Sequence, residues 1–345
     1  MIKTFNIVWL VLTYNCNNKC NWCYVSPESI KEKSFKRNRI NSTLSLLKDL
    51  GINRTILIGG EPTLYPDLFY LLEEQQKLRF STGMVTNGQL LSKKYFSREI
   101  KQRGINFLTV SIEGDNSFSH DKITHIKGSY NQAIRGIEVA NEEGINVSTN
   151  TVITKSNFKS LEKIADSLIK LPIKSIGFNI CGPCIGTEKN NRHLLNPRIA
   201  SSYFQKTYDY IKDNSYIKIR LITPIPLCFF DEKHREDFKK EKIVSGGPCQ
   251  LSTGKNFVID YNGDVIPCTH LTGYSFFNVF SENIMDGKSF KEKYNQSGFE
   301  FRKSMQRNAS SKCNEDKCYE PCSGGCPLFW TVFNPSKEIK GILNK

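Results

Sequence analysis

The sequence predicts an α/β protein in which a partial (β/α)6 barrel of the TIM type is followed by a cysteine-rich C-terminal domain. From residue 7 to about residue 180, short β-branched runs alternate with amphipathic segments, which is typical of βα units and a parallel sheet. Beyond residue 190 this alternation stops, and cysteines become frequent between Cys228 and Cys326. We therefore expect two domains, residues 1–214 and 215–345.

The barrel elements follow from the hydrophobic pattern. Strands are predicted at residues 7–13, 54–58, 83–86, 107–112, 146–153 and 175–180. Helices are predicted at residues 44–50, 68–77, 95–103, 133–141 and 161–170. Six βα units fit an incomplete barrel better than a closed eight-stranded one, and the site is expected at the carboxyl ends of the strands.

Beyond residue 190, fewer signals predict secondary structure. One helix is expected at residues 199–211. A hairpin is expected from two apolar runs, residues 257–260 and 265–267, which flank the tight turn Asn262-Gly263.

Composition limits the function classes. The apolar run at residues 7–12 is too short to span a membrane and lacks a cleavage pattern, so we predict a cytoplasmic protein with no membrane contact. The net charge of +14 counts every cysteine as neutral, and three thiolate-bound clusters would lower it to about +9. The basic residues are not interleaved with aromatics, which favours a solvated surface over contact with nucleic acid or an acidic peptide.

The cysteines indicate metal chemistry. Twelve cysteines in a cytosolic chain argue for metal ligation rather than disulfides. Cys16, Cys20 and Cys23 follow the first strand in a C-x3-C-x2-C pattern, with Trp22 before the last cysteine. Three thiolates can hold three irons of a cubane and leave the fourth open, whereas a zinc site normally needs a fourth protein ligand. The spacing of the three cysteines is therefore compatible with either an iron–sulfur cluster or a zinc site.

The loop at residues 15–24 resembles the signature of the radical S-adenosylmethionine (SAM) superfamily. The run Gly59-Gly60-Glu61-Pro62, which follows the second predicted strand, matches that family's GGEP motif. The resemblance implies that the triad holds a 4Fe-4S cluster, that SAM binds its open iron, and that SAM is cleaved to a 5′-deoxyadenosyl radical. By itself, Glu61 offers a carboxylate to an ammonium group, and the glycine pair lets the backbone approach a ligand.

Further motifs at the strand ends imply the other SAM contacts. The residues expected to bind SAM are Trp22, Gly59, Gly60, Glu61, Pro62, Thr86, Asn87, Ser111, Glu113 and Asn150. Two positions depart from the family. Glu113 stands where many relatives carry aspartate, and Thr124 stands where an arginine often binds the carboxylate, so Lys122 or Lys127 is an alternative partner.

The C-terminal cysteines resemble the SPASM domain, which carries auxiliary iron–sulfur clusters. Cys249, Gly263 and Cys268 form the first half of its pattern, but Asp316 replaces a cysteine in the second half and the last cysteine has no counterpart. The resemblance therefore implies one or two auxiliary clusters. The expected metal ligands are Cys249, Cys268, Cys313, Cys318, Cys322 and Cys326, with Cys228 as a weaker candidate. A structural zinc site is the alternative for this region.

Two further groups have open roles. Cys181 and Cys184, in Cys181-Gly182-Pro183-Cys184, are either near the substrate or ordinary loop thiols. No catalytic residue is assigned, and His270 is a weak candidate proton acceptor whose favoured interpretation is a structural, hydrogen-bonded histidine. Thr269 follows Cys268, where sulfatase-maturing relatives usually place an aspartate.

The resemblance implies an enzyme that modifies a ribosomally synthesised peptide by a crosslink, a thioether or epimerisation. The alternatives are sulfatase-maturing-type protein modification, small-molecule radical chemistry, or a non-catalytic iron–sulfur redox sensor or electron carrier. An electron donor such as a flavodoxin or ferredoxin is expected. Because the first strand starts near residue 7, leader binding is expected to need a separate peptide-recognition protein or the barrel surface.

Overall fold

The computed structural model describes residues 2–25, 33–184, 188–244, 249–284, 286–305, 322 and 324–339, with the backbone alone for residues 188–190. Seven parallel strands run in chain order through its first two thirds. They are β1 Ile7–Thr13, β2 Arg54–Gly59, β3 Ser81–Thr86, β4 Ile105–Ser111, β5 Asn146–Ile153, β6 Ser175–Ile180 and β7 Lys218–Leu221. The parallel α/β fold predicted from the sequence is confirmed.

Helices connect the strands and cover the sheet. They are α1 Ile40–Asp49, α2 Leu68–Lys77, α3 Lys94–Gln102, α4 Ser117–Thr124, α5 Ser129–Glu142, α6 Leu161–Leu168, α7 Pro197–Asn214, α8 Glu232–Glu241, α9 Gln250–Thr253, α10 Gly287–Met305 and α11 Pro335–Glu338. In α1, Ile40, Leu44 and Leu47 are buried at the helical spacing. These faces pack against the sheet, and one large apolar core extends from Phe5 to Ile339.

The C-terminal region extends the sheet of the barrel. Strands β8 Asn256–Ile259 and β9 Asp264–Ile266 form the predicted antiparallel hairpin, and β10 Phe277–Asn278 pairs with β9. Strand β8 also pairs in parallel with β1, so the strand order is β10-β9-β8-β1-β2-β3-β4-β5-β6-β7. This pairing places the hairpin beside the strand that leads into the N-terminal cysteine loop.

Strand β7 was not predicted, and it lies beyond residue 214. It pairs in parallel with β6, and Leu221 N–H donates to Ile243 O at 2.9 Å. The parallel run therefore has one strand more than the sequence indicated, while the domain boundary itself stays a prediction.

No helix in the described ranges combines the length and the apolar character that a membrane span requires.

Candidate functional site

The N-terminal cysteines lie on the loop that leaves β1 at the carboxyl edge of the sheet. Cys23 N–H donates to Cys20 O at 3.2 Å, which folds the loop back on itself. Lys19 N–H and Asn21 N–H donate to Thr124 O and Ile123 O at 2.9 and 3.3 Å. The loop is therefore fixed against the end of α4, a helix that the sequence did not predict.

The three thiols lie within electrostatic range of one another. Burial raises the pKa of Cys16 to about 12, and the negative charges of Glu61 and Cys23 add to this increase. Burial also raises the pKa of Cys20, with contributions from Cys23, Glu113 and Cys16. Three buried thiols that resist ionisation together form a donor set that a cationic iron centre stabilises, and metal binding releases their protons.

A hydrogen-bonded amide network holds the Cys16 side of the loop. Asn18 N–H donates to Cys16 Sγ at 3.4 Å. Asn87 Nδ2 donates to Asn17 Oδ1 at 2.6 Å, and Gln89 Nε2 donates to Asn18 Oδ1 at 2.6 Å. Sequence reasoning missed Asn17, Asn18 and Gln89, although Gln89 lies two residues after Asn87, an expected SAM contact.

No three His, Cys, Asp or Glu side chains in the described ranges converge as a single-ion site requires. A cubane places each thiolate on its own iron atom, so it does not require the thiols to meet at one point.

The glycine pair after β2 packs against the backbone that enters the cysteine loop. Gly60 N–H donates to Thr13 O at 2.7 Å, and Glu61 N–H donates to Asn15 O at 2.8 Å. A Cβ on Gly60 would lie 2.5 Å from Tyr14 O, and Gly59 has a φ of +150°. The glycine pair therefore packs closely against the backbone of the cysteine loop, and its approach to a ligand stays a prediction.

The Glu61 carboxylate is buried and accepts four hydrogen bonds. Thr63 donates its N–H and its hydroxyl to Oε1 at 3.1 and 2.6 Å, and the Thr86 hydroxyl donates to Oε1 at 2.6 Å. Asn87 N–H donates to Oε2 at 2.7 Å. Burial nevertheless raises the pKa of Glu61. Through these hydrogen bonds, Glu61 links the ends of β2 and β3. A contact between Glu61 and the ammonium group of SAM stays a prediction.

Glu113 follows the end of β4, and Asn150 lies within the neighbouring strand β5. Ile112 N–H donates to Asn150 O at 3.0 Å, and Glu113 Oε2 accepts from Val152 N–H at 2.9 Å. Glu113 Oε1 and Asn150 Oδ1 are buried without a hydrogen-bond partner in the described part of the chain. Buried acceptors of this kind are costly unless a donor reaches them, so this pair suits a ligand with ammonium and hydroxyl groups.

The other predicted SAM contacts lie at the same edge. Trp22 packs against the cluster of Val152, Cys181 and Leu194, and its Nε1 is buried without a partner among the described residues. Ser111 pairs in register with Asn150. Pro62 begins the short helix Pro62–Leu64 that follows the glycine pair.

The ionisation of Glu113 gives a stability prediction for the cofactor-free protein. Burial raises the pKa of Glu113 from 4.5 to about 8, so the folded state keeps a proton that the unfolded chain loses at lower pH. Between these two pKa values the free energy of unfolding is expected to fall as pH rises, by at most about 1.4 kcal/mol per pH unit. Urea unfolding at about pH 5 and about pH 7 measures this slope. The variant Glu113→Gln should show a smaller change of the free energy of unfolding with pH. An equal slope in both proteins would contradict the assignment of this slope to Glu113.

A second group of cysteines meets in the C-terminal region. Cys249 and Cys326 form a thiol–thiol hydrogen bond, which lowers the pKa of Cys249 and raises that of Cys326. Cys268 lies within electrostatic range of both, and burial raises its pKa to about 11. These three cysteines come together from α9, the hairpin and the C-terminal segment.

The remaining candidate ligands are less well defined. Cys228 is half-buried on the helical turn Leu227–Phe229, and the nearby Pro224 O accepts from Cys326 N–H at 2.9 Å. Cys322 is half-buried. Cys313 and Cys318, like Asp316, lie outside the described residues, so a second auxiliary cluster stays a prediction.

His270, two residues after Cys268, contacts the N-terminal cysteine loop and the segment that contains Cys184. Its ring stacks on Tyr24 with centroids 6.1 Å apart, and its Nδ1 lies 3.2 Å from Pro183 O and 3.5 Å from Cys184 Sγ. Burial lowers the pKa of His270, which favours a neutral ring that donates its Nδ1 hydrogen to Pro183 O. These contacts suit a structural histidine, and a proton-accepting role stays a prediction.

Cys181 and Cys184 follow β6 and lie at the same edge as the triad. Both are buried. Burial raises the pKa of Cys181 to about 12, and the charges of Cys184, Glu113 and Cys23 contribute. The structure therefore places this pair beside the predicted SAM site, while its role stays open.

Family models identify both halves of this arrangement. The Radical SAM superfamily model matches residues 10–168, and the SPASM model, described as an iron-sulfur cluster-binding domain, matches residues 249–327. The chain therefore carries a radical SAM domain and is an enzyme. It also carries a SPASM domain, and its cofactors are SAM and 4Fe-4S clusters.

Relatives with known activities cover almost the whole chain. The Fe-coproporphyrin III synthase of Methanosarcina barkeri is 23% identical over 92% of this chain and 82% of the relative. The subtilosin biosynthesis protein AlbA of Bacillus subtilis is 26% identical over 92% of this chain and 66% of its own length.

Solved structures share the fold. SuiB of Streptococcus suis bound to SAM superposes with a TM-score of 0.71 at 19% identity, covering 98% of this chain and 76% of SuiB. SuiB has also been solved with its precursor peptide SuiA, with a TM-score of 0.69, 19% identity and coverage of 95% and 71%. anSMEcpe with SAM and the Cp18Cys peptide gives a TM-score of 0.70 at 17% identity, covering 94% and 89%.

Proposed function

We propose that this enzyme modifies a ribosomally synthesised peptide by radical chemistry, forming a crosslink or thioether or inverting a residue. The observation that carries the proposal is the position of the second cysteine group. His270, two residues after Cys268, packs against Tyr24 of the N-terminal loop and against Cys184. An auxiliary cluster there would adjoin the carboxyl edge of the barrel, where it can accept an electron from a substrate radical or bind the substrate.

In this proposal Cys16, Cys20 and Cys23 hold the SAM-binding cluster. When bound, and with one electron from an external donor, the cluster and SAM would supply a 5′-deoxyadenosyl radical able to remove a hydrogen atom from the substrate. The chain's own residues hold these groups in place. The Asn18 N–H group and the amide network orient Cys16, and Glu61 fixes the turn beside the loop. Hydrogen bonds to a ligating sulfur also tune the reduction potential of a cluster.

Glu113 and Asn150 are proposed to bind the polar groups of SAM, because each presents a buried acceptor without a partner in the described ranges. Trp22 packs beside Cys181 at the same edge. Cys249, Cys268 and Cys326 are proposed to hold an auxiliary cluster, because they lie together in one apolar cluster, with Cys228 as the candidate fourth ligand.

Peptide relatives support the substrate class. AlbA takes part in subtilosin biosynthesis, and the superposed SuiB and anSMEcpe structures contain peptides. Small-molecule chemistry is the second candidate, because the Fe-coproporphyrin III synthase covers the chain as fully as AlbA does.

Coexpression with short peptides encoded beside the gene tests the proposal. We expect one peptide to lose hydrogen atoms, or to acquire solvent deuterium at an inverted residue, as measured by tandem mass spectrometry. The variant Cys16→Ala/Cys20→Ala/Cys23→Ala is the control and should leave the peptide unchanged. Turnover of coproporphyrin in place of every neighbouring peptide would contradict the peptide assignment.

A further inference from the structure

Three loops at the carboxyl edge of the sheet bring basic side chains together. His125 ends α4, Lys155 follows β5, and Arg192 and His193 end the helical turn Glu188–His193 after β6. Lys155 N–H donates to His193 O at 3.1 Å, and Arg192 Nε donates to His193 Nε2 at 3.0 Å. We call these four residues the basic rim.

The residues of the basic rim lie close enough for their charges to affect the pKa of His193. The pKa of His193 is lowered by burial first, and then by the positive charges of Arg192, Lys155 and His125. Lys155 and Arg192 therefore concentrate positive charge at this edge, which attracts an anionic group.

The basic rim lies beside the proposed radical site. His125 directly follows Thr124, whose carbonyl oxygen accepts a hydrogen bond from Lys19 N–H in the cysteine loop at 2.9 Å. Lys155 follows the end of β5, the strand that carries Asn150. An anionic group bound at the rim would therefore stand next to the edge where the substrate reacts.

Lys155 and Arg192, the lysine and the arginine of the rim, have no carboxylate partners among the side chains that the structure describes. None of the ion pairs found there includes His125, Lys155, Arg192 or His193. Asp121, on the neighbouring helix α4, already accepts from Gly128 N–H, the Ser129 hydroxyl and Tyr130 N–H. By contrast, Arg135 on α5 pairs with Glu138 and Glu142. The rim is therefore positioned to bind a ligand's carboxylates.

We infer that the basic rim docks an acidic segment of the peptide substrate and so orients the residue to be modified. The inference rests on the proposed peptide function and adds the charge of the substrate. A short rim around one catalytic edge fits an acidic peptide better than a nucleic acid, whose binding surfaces combine basic and aromatic side chains along a groove. Exposed ion pairs are individually weak, so the rim contributes orientation and rapid association.

Binding of a fluorescein-labelled octaglutamate peptide to the iron-replete protein tests the inference by fluorescence anisotropy. The variant Lys155→Glu/Arg192→Glu reverses two exposed rim charges. Its matched control, Lys239→Glu/Lys240→Glu, makes the same charge change on the exposed surface of α8. We expect the rim variant to bind about tenfold more weakly and the control to change by less than about twofold, because only the rim contacts the peptide directly.

Equal losses in the two variants would overturn the inference, because they would show a general effect of net charge. Tighter binding of an oligothymidine of equal length, lost in the rim variant, would overturn it in favour of nucleic acid. The inference would be supported if the affinity for octaglutamate depended less on salt concentration in the rim variant than in the wild type, with no such change in the control. The binding assay contains no SAM, so failure of the proposed peptide chemistry would appear separately, as an unmodified peptide with octaglutamate binding intact.

Discussion

Replacing Cys16, Cys20 and Cys23 together with alanine is expected to abolish SAM cleavage while leaving iron in the C-terminal region. The three thiols share one loop, and its described residues 14–25 contain no other cysteine and no histidine that could replace them as ligands. Cys249, Cys268 and Cys326 lie in a separate buried group and stay intact in this variant. Mössbauer spectroscopy counts the remaining iron, and chromatography measures 5′-deoxyadenosine.

The reciprocal variant is the control for this experiment. Cys249→Ala/Cys268→Ala/Cys326→Ala should lose auxiliary iron but keep the N-terminal cluster and its spectral response to SAM. An N-terminal variant without any iron would contradict the auxiliary cluster, and an N-terminal variant that still cleaves SAM would contradict the triad.

Glu61→Leu is expected to lower the free energy of unfolding of the cofactor-free protein by about 3 kcal/mol, because it leaves several buried donors without an acceptor. Those donors are two backbone N–H groups, from Thr63 and Asn87, and two hydroxyls, from Thr63 and Thr86. Because the hydroxyls can rotate to other partners, most of the loss comes from the N–H groups. Urea unfolding measures the change.

Glu61→Gln provides the matched comparison, since it keeps the volume and one acceptor oxygen. Its loss of stability should be smaller than that of Glu61→Leu, while both variants should bind SAM at least about tenfold more weakly because the turn beside the cysteine loop is displaced. Wild-type stability in Glu61→Leu would contradict the structural role given to this carboxylate.

The strands of the barrel were predictable because their signal is local. β1, β5 and β6 begin and end where the β-branched runs do, at Ile7–Thr13, Asn146–Ile153 and Ser175–Ile180. β7 was missed because Lys218–Leu221 is a short alternating segment. Its place depends on pairing with β6 and on the bond from Leu221 to Ile243, neither of which the local pattern contains.

Helix α4 is a second element that the local sequence pattern did not predict. Its start has a local signal, since Asn116 and Ser119 form a capping box. Its polar composition gives a weak helical pattern, however, and its end is joined to the cysteine loop by bonds from Lys19 and Asn21. Tertiary contact therefore defines an element that the sequence pattern leaves ambiguous.

The candidate site likewise has one part that the local sequence indicates and another that only the fold brings together. The triad was predictable because its cysteines lie within one short loop. Asn17 and Gln89, which are hydrogen-bonded at 3.1 Å, are 72 residues apart in sequence, so only the fold joins them. Cys249, Cys268 and Cys326 are brought together by the fold, through the pairing of β8 with β1 and the packing around Leu271 and Leu328.

The amount of 5′-deoxyadenosine formed by iron-replete protein with dithionite and SAM, under anaerobic conditions, tests the central claim most directly. We expect 5′-deoxyadenosine and methionine in equal amounts from the wild-type protein, and neither from Cys16→Ala/Cys20→Ala/Cys23→Ala. A wild-type protein with its clusters fully assembled that forms no 5′-deoxyadenosine would contradict the assignment of Cys16, Cys20 and Cys23 as the site of radical formation.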